Sequence, residues 1–261
     1  MNNILTEFKS EQVIQLMQEG KRLDGRKFDE YRKISIKKDI SENAEGSAWV
    51  KLGETEIIAG VKIIPGEPYP DNPDEGTISI GVELLPMGSP NFESGPPRED
   101  AIELARVVDR GIRESKSIDF KKLCITAGEK VWIAFGDIYV INDAGNLFDA
   151  SSIAVVSSYL NAKLPKFEDG AVVRGEYSGK LKLANIPVLC TSSKIGSSIV
   201  LDATSEEDLA STARFSLTSI ENDILTACQK GKNGYFTAKE LEDITEMTIK
   251  KGKEIRKLLQ W

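Results

Sequence analysis

The sequence predicts an α+β protein built from two related halves, each a strand-rich layer with helices packed on one face of its sheet. Three observations carry that expectation. Runs rich in Val, Ile and Thr, residues that suit a pleated surface, fall in 34–85, 122–141 and 187–229. Between them, residues 98–115 set Ala101, Leu104, Ala105, Val108 and Ile112 at helical spacing, and residues 148–161 are rich in Ala, Ser and Val. Finally, Lys194-Ile195-Gly196-Ser197-Ser198-Ile199-Val200 echoes Lys51-Leu52-Gly53-Glu54-Thr55-Glu56-Ile57 at an offset of 143 (51 to 194).

Taken in order, residues 1–20 read as a helical extension, with Val13, Ile14, Leu16 and Met17 on its apolar side and an end near Gly20. Residues 21–261 then form one domain of two halves, about 21–165 and 166–261. Arg22-Leu23-Asp24-Gly25-Arg26 is polar and turn-forming. Strands at 47–52 and 56–64 turn near Gly53, and four prolines in 65–73 demand a loop before a strand at 78–85. Gly95-Pro96-Pro97 stops extended structure ahead of the 98–115 helix. Strands follow at 122–126 and 130–141. Asn142 to Asn146 is a turn into the 148–161 helix, which Pro165 is expected to end. Strands at 187–201, 212–218 and 224–229 lead to a last helix, where Thr237 and Glu240 have capping-box spacing.

Composition narrows the chemistry. Forty-one acidic against 34 basic side chains give a net charge of −7, so any RNA or DNA contact must come from a local patch. No stretch approaches the roughly 18 apolar residues of a membrane span. Met1 to Lys9 lacks the apolar core of a signal peptide, and a soluble cytoplasmic protein with no membrane partner is expected. The chain has no histidine, which excludes Ser-His-Asp and Cys-His catalysis and imidazole metal ligation. Reactions must therefore run on carboxylates, arginines, lysines and backbone amides. Cys124, Cys190 and Cys228 are spaced too irregularly for a disulfide framework or a zinc site and read as three buried thiols.

Three features could carry function. Arg106, Arg110 and Arg113 lie at i, i+4 and i+7, opposite the apolar stripe of their helix. They form either a phosphate track or a solvated face in which Glu103, Asp109 and Glu114 pair with them locally. Glu206-Glu207-Asp208, with Asp202, is the only acidic cluster that suggests a Mg²⁺ or general acid/base site; its plain reading is an acidic loop between strands. Asp143-Ala144-Gly145-Asn146, before a helix, is either a simple turn or a place where backbone N–H groups meet an anion.

The order of these motifs is more specific than any one of them. Arg22 to Arg26, the Gly46-Ser47-Ala48 to Thr55 hairpin, Glu103-Leu104, Asp143-Ala144-Gly145 and Glu207-Asp208 together resemble the ribonuclease PH family, from Arg22 to the C-terminal helix. Leu84-Leu85-Pro86, Gly95-Pro96-Pro97 and the run Ala101 to Arg110 resemble the non-catalytic ring subunits of archaeal exosomes within it. Active members of the family degrade RNA from its 3′ end with phosphate as nucleophile. The resemblance implies three site parts: an arginine pair opening the long helix, a Gly-Ser-Arg or Gly-Thr-Arg phosphate turn, and two aspartates six residues apart near the metal. Here the first falls on Pro97 and Arg98, the second on Gly145, Asn146 and Leu147, and the third on Asp208 and Arg214. Leucine cannot hold phosphate, and a cation where a carboxylate should stand repels Mg²⁺.

The expectation is thus an inactive paralogue without cofactor or metal. It binds single-stranded RNA through Arg106, Arg110 and Arg113. It alternates with a catalytic ribonuclease PH-like subunit, three of each in a ring of six that carries RNA-binding cap proteins. The competing expectations are a self-sufficient phosphorolytic 3′-5′ exoribonuclease or tRNA 3′-end nucleotidyltransferase, and a metabolic protein reusing the fold.

Overall fold

The computed structural model describes residues 2–260, with side chains from Glu7 onward; Met1 and Trp261, at the ends of the expected ranges, lie outside the described residues. The elements are α1 (Asn2–Gln18), β1 (Ile34–Lys38), β2 (Gly46–Leu52), β3 (Thr55–Gly66), β4 (Thr77–Leu84), α2 (Glu99–Glu114), β5 (Cys124–Thr126), β6 (Lys130–Asn142) and α3 (Leu147–Asn161). They continue with β7 (Lys163–Glu168), β8 (Ala171–Lys180), β9 (Val188–Ile195), β10 (Ser198–Leu201), α4 (Ser205–Ala210), β11 (Ala213–Ser219), β12 (Leu225–Gly231) and α5 (Ala238–Leu259).

One sheet runs β1-β2-β3-β6-β4, with β5 paired to β6; another runs β10-β9-β11-β12, and β7-β8 is a separate two-stranded ribbon. Helices α2 and α3 touch strands of both larger sheets and lie between them. That position explains the composition of α3. Residues Asp149 to Tyr159 are all buried, so a helix with no polar side is satisfied, and its small Ala and Ser side chains allow close packing. At Gly46 of β2 an added Cβ would fall 2.2 Å from the Ser158 carbonyl oxygen of α3.

The two echoed hairpins share their turn. Leu52 pairs with Thr55 and Ile195 with Ser198 across two-residue loops that begin at Gly53 and Gly196, both with φ +58°. Only glycine adopts that conformation without cost. They are wired differently: β3 continues onto β6, whereas β9 continues onto β11.

Several expectations need correction. The second sheet carries helices on both faces, not one. Thr218 faces Gly111 of α2, while the next residue, Ser219, bonds Arg256 of α5. Residues 205–210 form a short helix, not an acidic loop, because Thr204 and Glu207 close a capping box. Helix α3 ends at Asn161, and Pro165 lies inside β7 rather than stopping the helix. Pro65 extends β3, opposite Trp132, instead of opening the loop. Only Cys190 is buried; Cys124 is half-buried and Cys228 exposed. The α1 helix packs Val13 and Met17 against Ile195, Val200, Ala203 and Ala210 of the second half.

The segment after α1 is tied to the same half by charge. Arg22 and Glu207, both 0% exposed, meet through Nε to Oε1 at 2.8 Å and Nη2 to Oε2 at 2.5 Å. Arg22 also donates to the carbonyls of Leu201 (3.0 Å) and Asp202 (2.8 Å). Removing one partner of a buried pair strands the other charge. Glu207→Gln should therefore cost about 3–5 kcal/mol of stability in urea denaturation, and a loss below about 1 kcal/mol would show that the pair does not anchor the segment.

Candidate functional site

Two clefts flank α2. The first, about 380 Å³, gathers Gly145, Asn146 and Leu147 from the turn into α3, Asp208 from α4 and Arg214 from β11. Arg98 is not among its lining residues. Its side chain is exposed at the start of α2 and pairs with Glu93. Asp100, Glu103 and Asp143 also line the cleft, so four carboxylates face one guanidinium.

That guanidinium is already engaged. Arg214 Nη2 lies 2.6 Å from Glu103 Oε1, and the group stacks on Phe148 with 4.0 Å from Cζ to the ring centroid. Asp208 pairs with Lys232 at 3.0 Å. Burial, reinforced by the Asp208 charge, pushes the Asp143 carboxyl above its usual range although it accepts the Gly145 N–H at 3.0 Å. The Ala144 N–H donates to Thr55 Oγ1 at 3.2 Å. Two amides of this turn are thus bonded within the protein rather than offered to an anion, and the wall around them is acidic. Among the described residues no three Asp, Glu, Cys or His side chains are grouped to hold a metal ion.

The turn itself is fixed from beneath. Gly145 has φ +94°, and a Cβ there would come within 2.5 Å of the Thr204 backbone. Asn146, φ +55°, caps α3 and points inward, donating Nδ2 to Asp149 Oδ2 and to Asp202 Oδ1, both at 2.9 Å. Asp202 and Glu207, expected with Asp208 as an acidic cluster, are instead buried partners of arginines. Asp202 takes Arg26 Nη1 (2.9 Å), Arg32 Nη2 (2.6 Å), Arg32 Nε (2.9 Å) and the Arg32 N–H (2.8 Å).

The second cleft, about 310 Å³, runs between α2 and β4 and holds Arg106, Arg110 and Arg113. The three are not equivalent. Arg113 is half-buried, gripped by both Asp109 oxygens at 2.9 Å, bonded to the Ile78 carbonyl at 3.1 Å and stacked on Phe120. The Asp109 bonds raise its already high pKa, so its charge is matched locally. Arg110 is exposed and, among the described residues, held only by the neutral Gln229 Oε1 at 3.2 Å. Arg106 is exposed and, among the described residues, has no hydrogen-bond or ion-pair partner. Of the local pairs expected from spacing, only Asp109 with Arg113 forms.

Sequence reasoning missed the arginine clamp, Phe148 beneath Arg214, and Asp149. The last is fully buried and accepts from Tyr31 Oη (2.6 Å), Asn146 Nδ2 and the Thr191 N–H (3.0 Å), while its Oδ1 has no hydrogen-bond partner among the described residues. Burial pushes its carboxyl up to about 6 against those bonds. The unfolded value is about 3.9, so the native state holds an extra proton between about pH 4 and 6. Stability from this group is full below about pH 4 and lost as pH rises through about 6. Asp149→Asn should remove that slope, shifting its stability relative to the parent by roughly 2–3 kcal/mol between about pH 4 and 7 in urea denaturation. A pH-independent difference would contradict this.

Comparison with known proteins agrees with this geometry. Residues 30–165 match the model of 3′ exoribonuclease family domain 1 (RNase PH), and residues 185–251 match domain 2. The chain is 45% identical over 258 residues to the exosome complex component Rrp42 of Thermococcus kodakarensis, covering 97% of this chain and 94% of that protein. It resembles a chain of the Archaeoglobus fulgidus exosome solved with RNA bound to the active site, with TM-score 0.93 and 41% identity over 98% of this chain and all of the other. A chain of an archaeal exosome core matches with TM-score 0.90 and 39% identity over 100% and 99% of the two chains.

Proposed function

The chain belongs to the RNase PH family of 3′ exoribonucleases, and from that membership we propose that it is a non-catalytic subunit of an archaeal exosome ring, binding RNA and supporting a partner's phosphorolytic site. The observation that carries the reading is the first cleft. At the positions where the family resemblance puts phosphate and metal ligands stand Asn146, turned inward, Leu147, and Arg214, paired with Glu103 among carboxylates. Phosphate there would meet net negative charge, and where the resemblance puts a metal-binding carboxylate stands Arg214, which offers a cation no ligand and occupies Glu103 instead.

The second cleft supplies what the first lacks. Arg106 and Arg110 present unneutralised guanidiniums on an exposed helix face of an acidic chain, and such groups hold phosphates without reading bases. In this reading the partners are a catalytic RNase PH-like subunit, three of each in a ring of six, RNA-binding cap proteins and single-stranded RNA, with no cofactor. Residues 21–261 act as one unit of two related halves, which the shared Gly53 and Gly196 turns support. Among the described residues no helix is long and apolar enough to cross a membrane, and the place of action in this reading is the cytoplasm.

Two measurements test this. Mixed with the catalytic subunit, the chain should yield the mass of a six-membered ring; a monomer that ignores that subunit would refute the assembly. In the ring, Arg106→Ala and Arg110→Ala should each weaken RNA binding and flatten the salt dependence by about 0.7 in log–log slope, equally for poly(A) and mixed sequences. Arg113→Ala should do less, since Asp109 already matches its charge. Wild-type affinity at low and high salt in the first two variants would reduce α2 to a solvated face.

A further inference from the structure

We infer that Arg214 is a positioning residue for RNA binding: by holding Glu103 it keeps the Arg106 guanidinium free of its helical neighbour. The inference rests on the reading of the α2 arginines as RNA contacts. Glu103 and Arg106 stand at i and i+3, a spacing at which opposite charges pair on a helix surface. They do not pair here. Glu103 reaches across to β11, where Arg214 Nη2 meets its Oε1 at 2.6 Å.

Arg214 is built for the task. Its side chain is 13% exposed and its guanidinium lies on the Phe148 ring, so it loses little freedom in keeping the bond. Opposite it on β12 stands Gly231, where an added Cβ would fall 2.6 Å from Arg214 Nη2. The strand leaves room for the guanidinium. The competing pair, Glu103 with Arg106, lies on the open helix face, where water and salt weaken ion pairs and two long side chains must be held.

Charge in the cleft sets the direction of change when Arg214 is removed. Asp100, Asp143 and Asp208 line the same cleft as Glu103, and without Arg214 no guanidinium remains there to offset them. Asp208 keeps its Lys232 partner, so Asp100 and Asp143 are the charges that then repel Glu103 toward the helix face, where Arg106 is the cation three residues on. Glu103 would neutralise Arg106 and displace the RNA phosphate from it. The cation that stands where the family resemblance puts a metal-binding aspartate thus serves the RNA-binding face of the same subunit.

The test uses the full chain assembled with the catalytic ring subunit and a labelled oligo(A) probe, with affinity read over a salt series. Arg106→Ala sets the size of the effect, a loss of about two- to fivefold in affinity. Arg214→Met, which keeps an apolar stem against Phe148, should weaken binding in the same direction by no more than that loss, most clearly at low salt, where the Glu103–Arg106 pair is least screened. Glu103→Gln should leave binding at the parent level, and adding it to Arg214→Met should restore binding. Wild-type binding by Arg214→Met beside a weakened Arg106→Ala overturns the inference alone, as does a double variant that stays weak. Wild-type binding by Arg106→Ala overturns the reading of α2 and the inference with it. Should Arg214→Met fail to assemble, Gly231→Ala decides, since it crowds the guanidinium without removing the charge: weakened binding rescued by Glu103→Gln supports the inference, and unchanged binding overturns it.

Discussion

Asp202 has no exposure to solvent and sits in the left-handed backbone region, φ +51°, with charged or polar donors on both carboxylate oxygens. Arg26 and Arg32 reach it from the segment after α1, and Asn146 reaches it from the turn into α3. Arg32 goes on to donate to the carbonyls of Ala144 (2.8 Å) and Gly145 (3.0 Å). One buried carboxylate therefore ties together the N-terminal segment, the first half and the second half. A charge in that position is tolerable only while its donors stay in place, so the three pieces are constrained to move as one.

This constraint and the altered cleft are a single structural fact. A side chain at position 146 that held a ligand would have to point into the cleft; Asn146 instead completes the ligation of Asp202 and caps α3. A side chain at the adjacent Gly145 would collide with the 203–205 backbone, and the Ala144 and Gly145 amides already donate within the protein. Arg214 then closes the cleft electrostatically by binding Glu103, and positive charge is left available on the other side of α2. One helix separates an acidic cleft from a basic one, and an acidic chain can engage a polyanion through a narrow strip of its surface.

Much of the fold was legible because it depends on local chemistry. The glycine turns at 53 and 196, the apolar stripe of α2 and the Thr237 capping box are written within a few residues of where they act. What escaped depends on distant partners. The Arg22-Leu23-Asp24-Gly25-Arg26 run reads as a polar turn until Glu207 and Asp202, 185 and 176 positions from the arginines they meet, arrive to bury it. Arginines at 22, 26 and 32, close together in one short segment, were the available signal. Spacing on α2 correctly paired Asp109 with Arg113 but could not foresee that Glu103 leaves its own helix for Arg214. The acidic run at 206–208 misled for the opposite reason: its middle member, Glu207, is an internal counter-ion, while its neighbour Asp208 faces the cleft.

Whether the altered cleft can perform phosphorolysis decides between an RNA-holding ring subunit and an enzyme. The direct measurement is release of nucleoside diphosphates from poly(A) in phosphate buffer with Mg²⁺, comparing the purified chain with the same chain assembled on its catalytic ring partner. The chain alone should release none, and the assembly should be fully active. Diphosphate release by the pure chain, abolished by Asp208→Asn, would contradict the non-catalytic role.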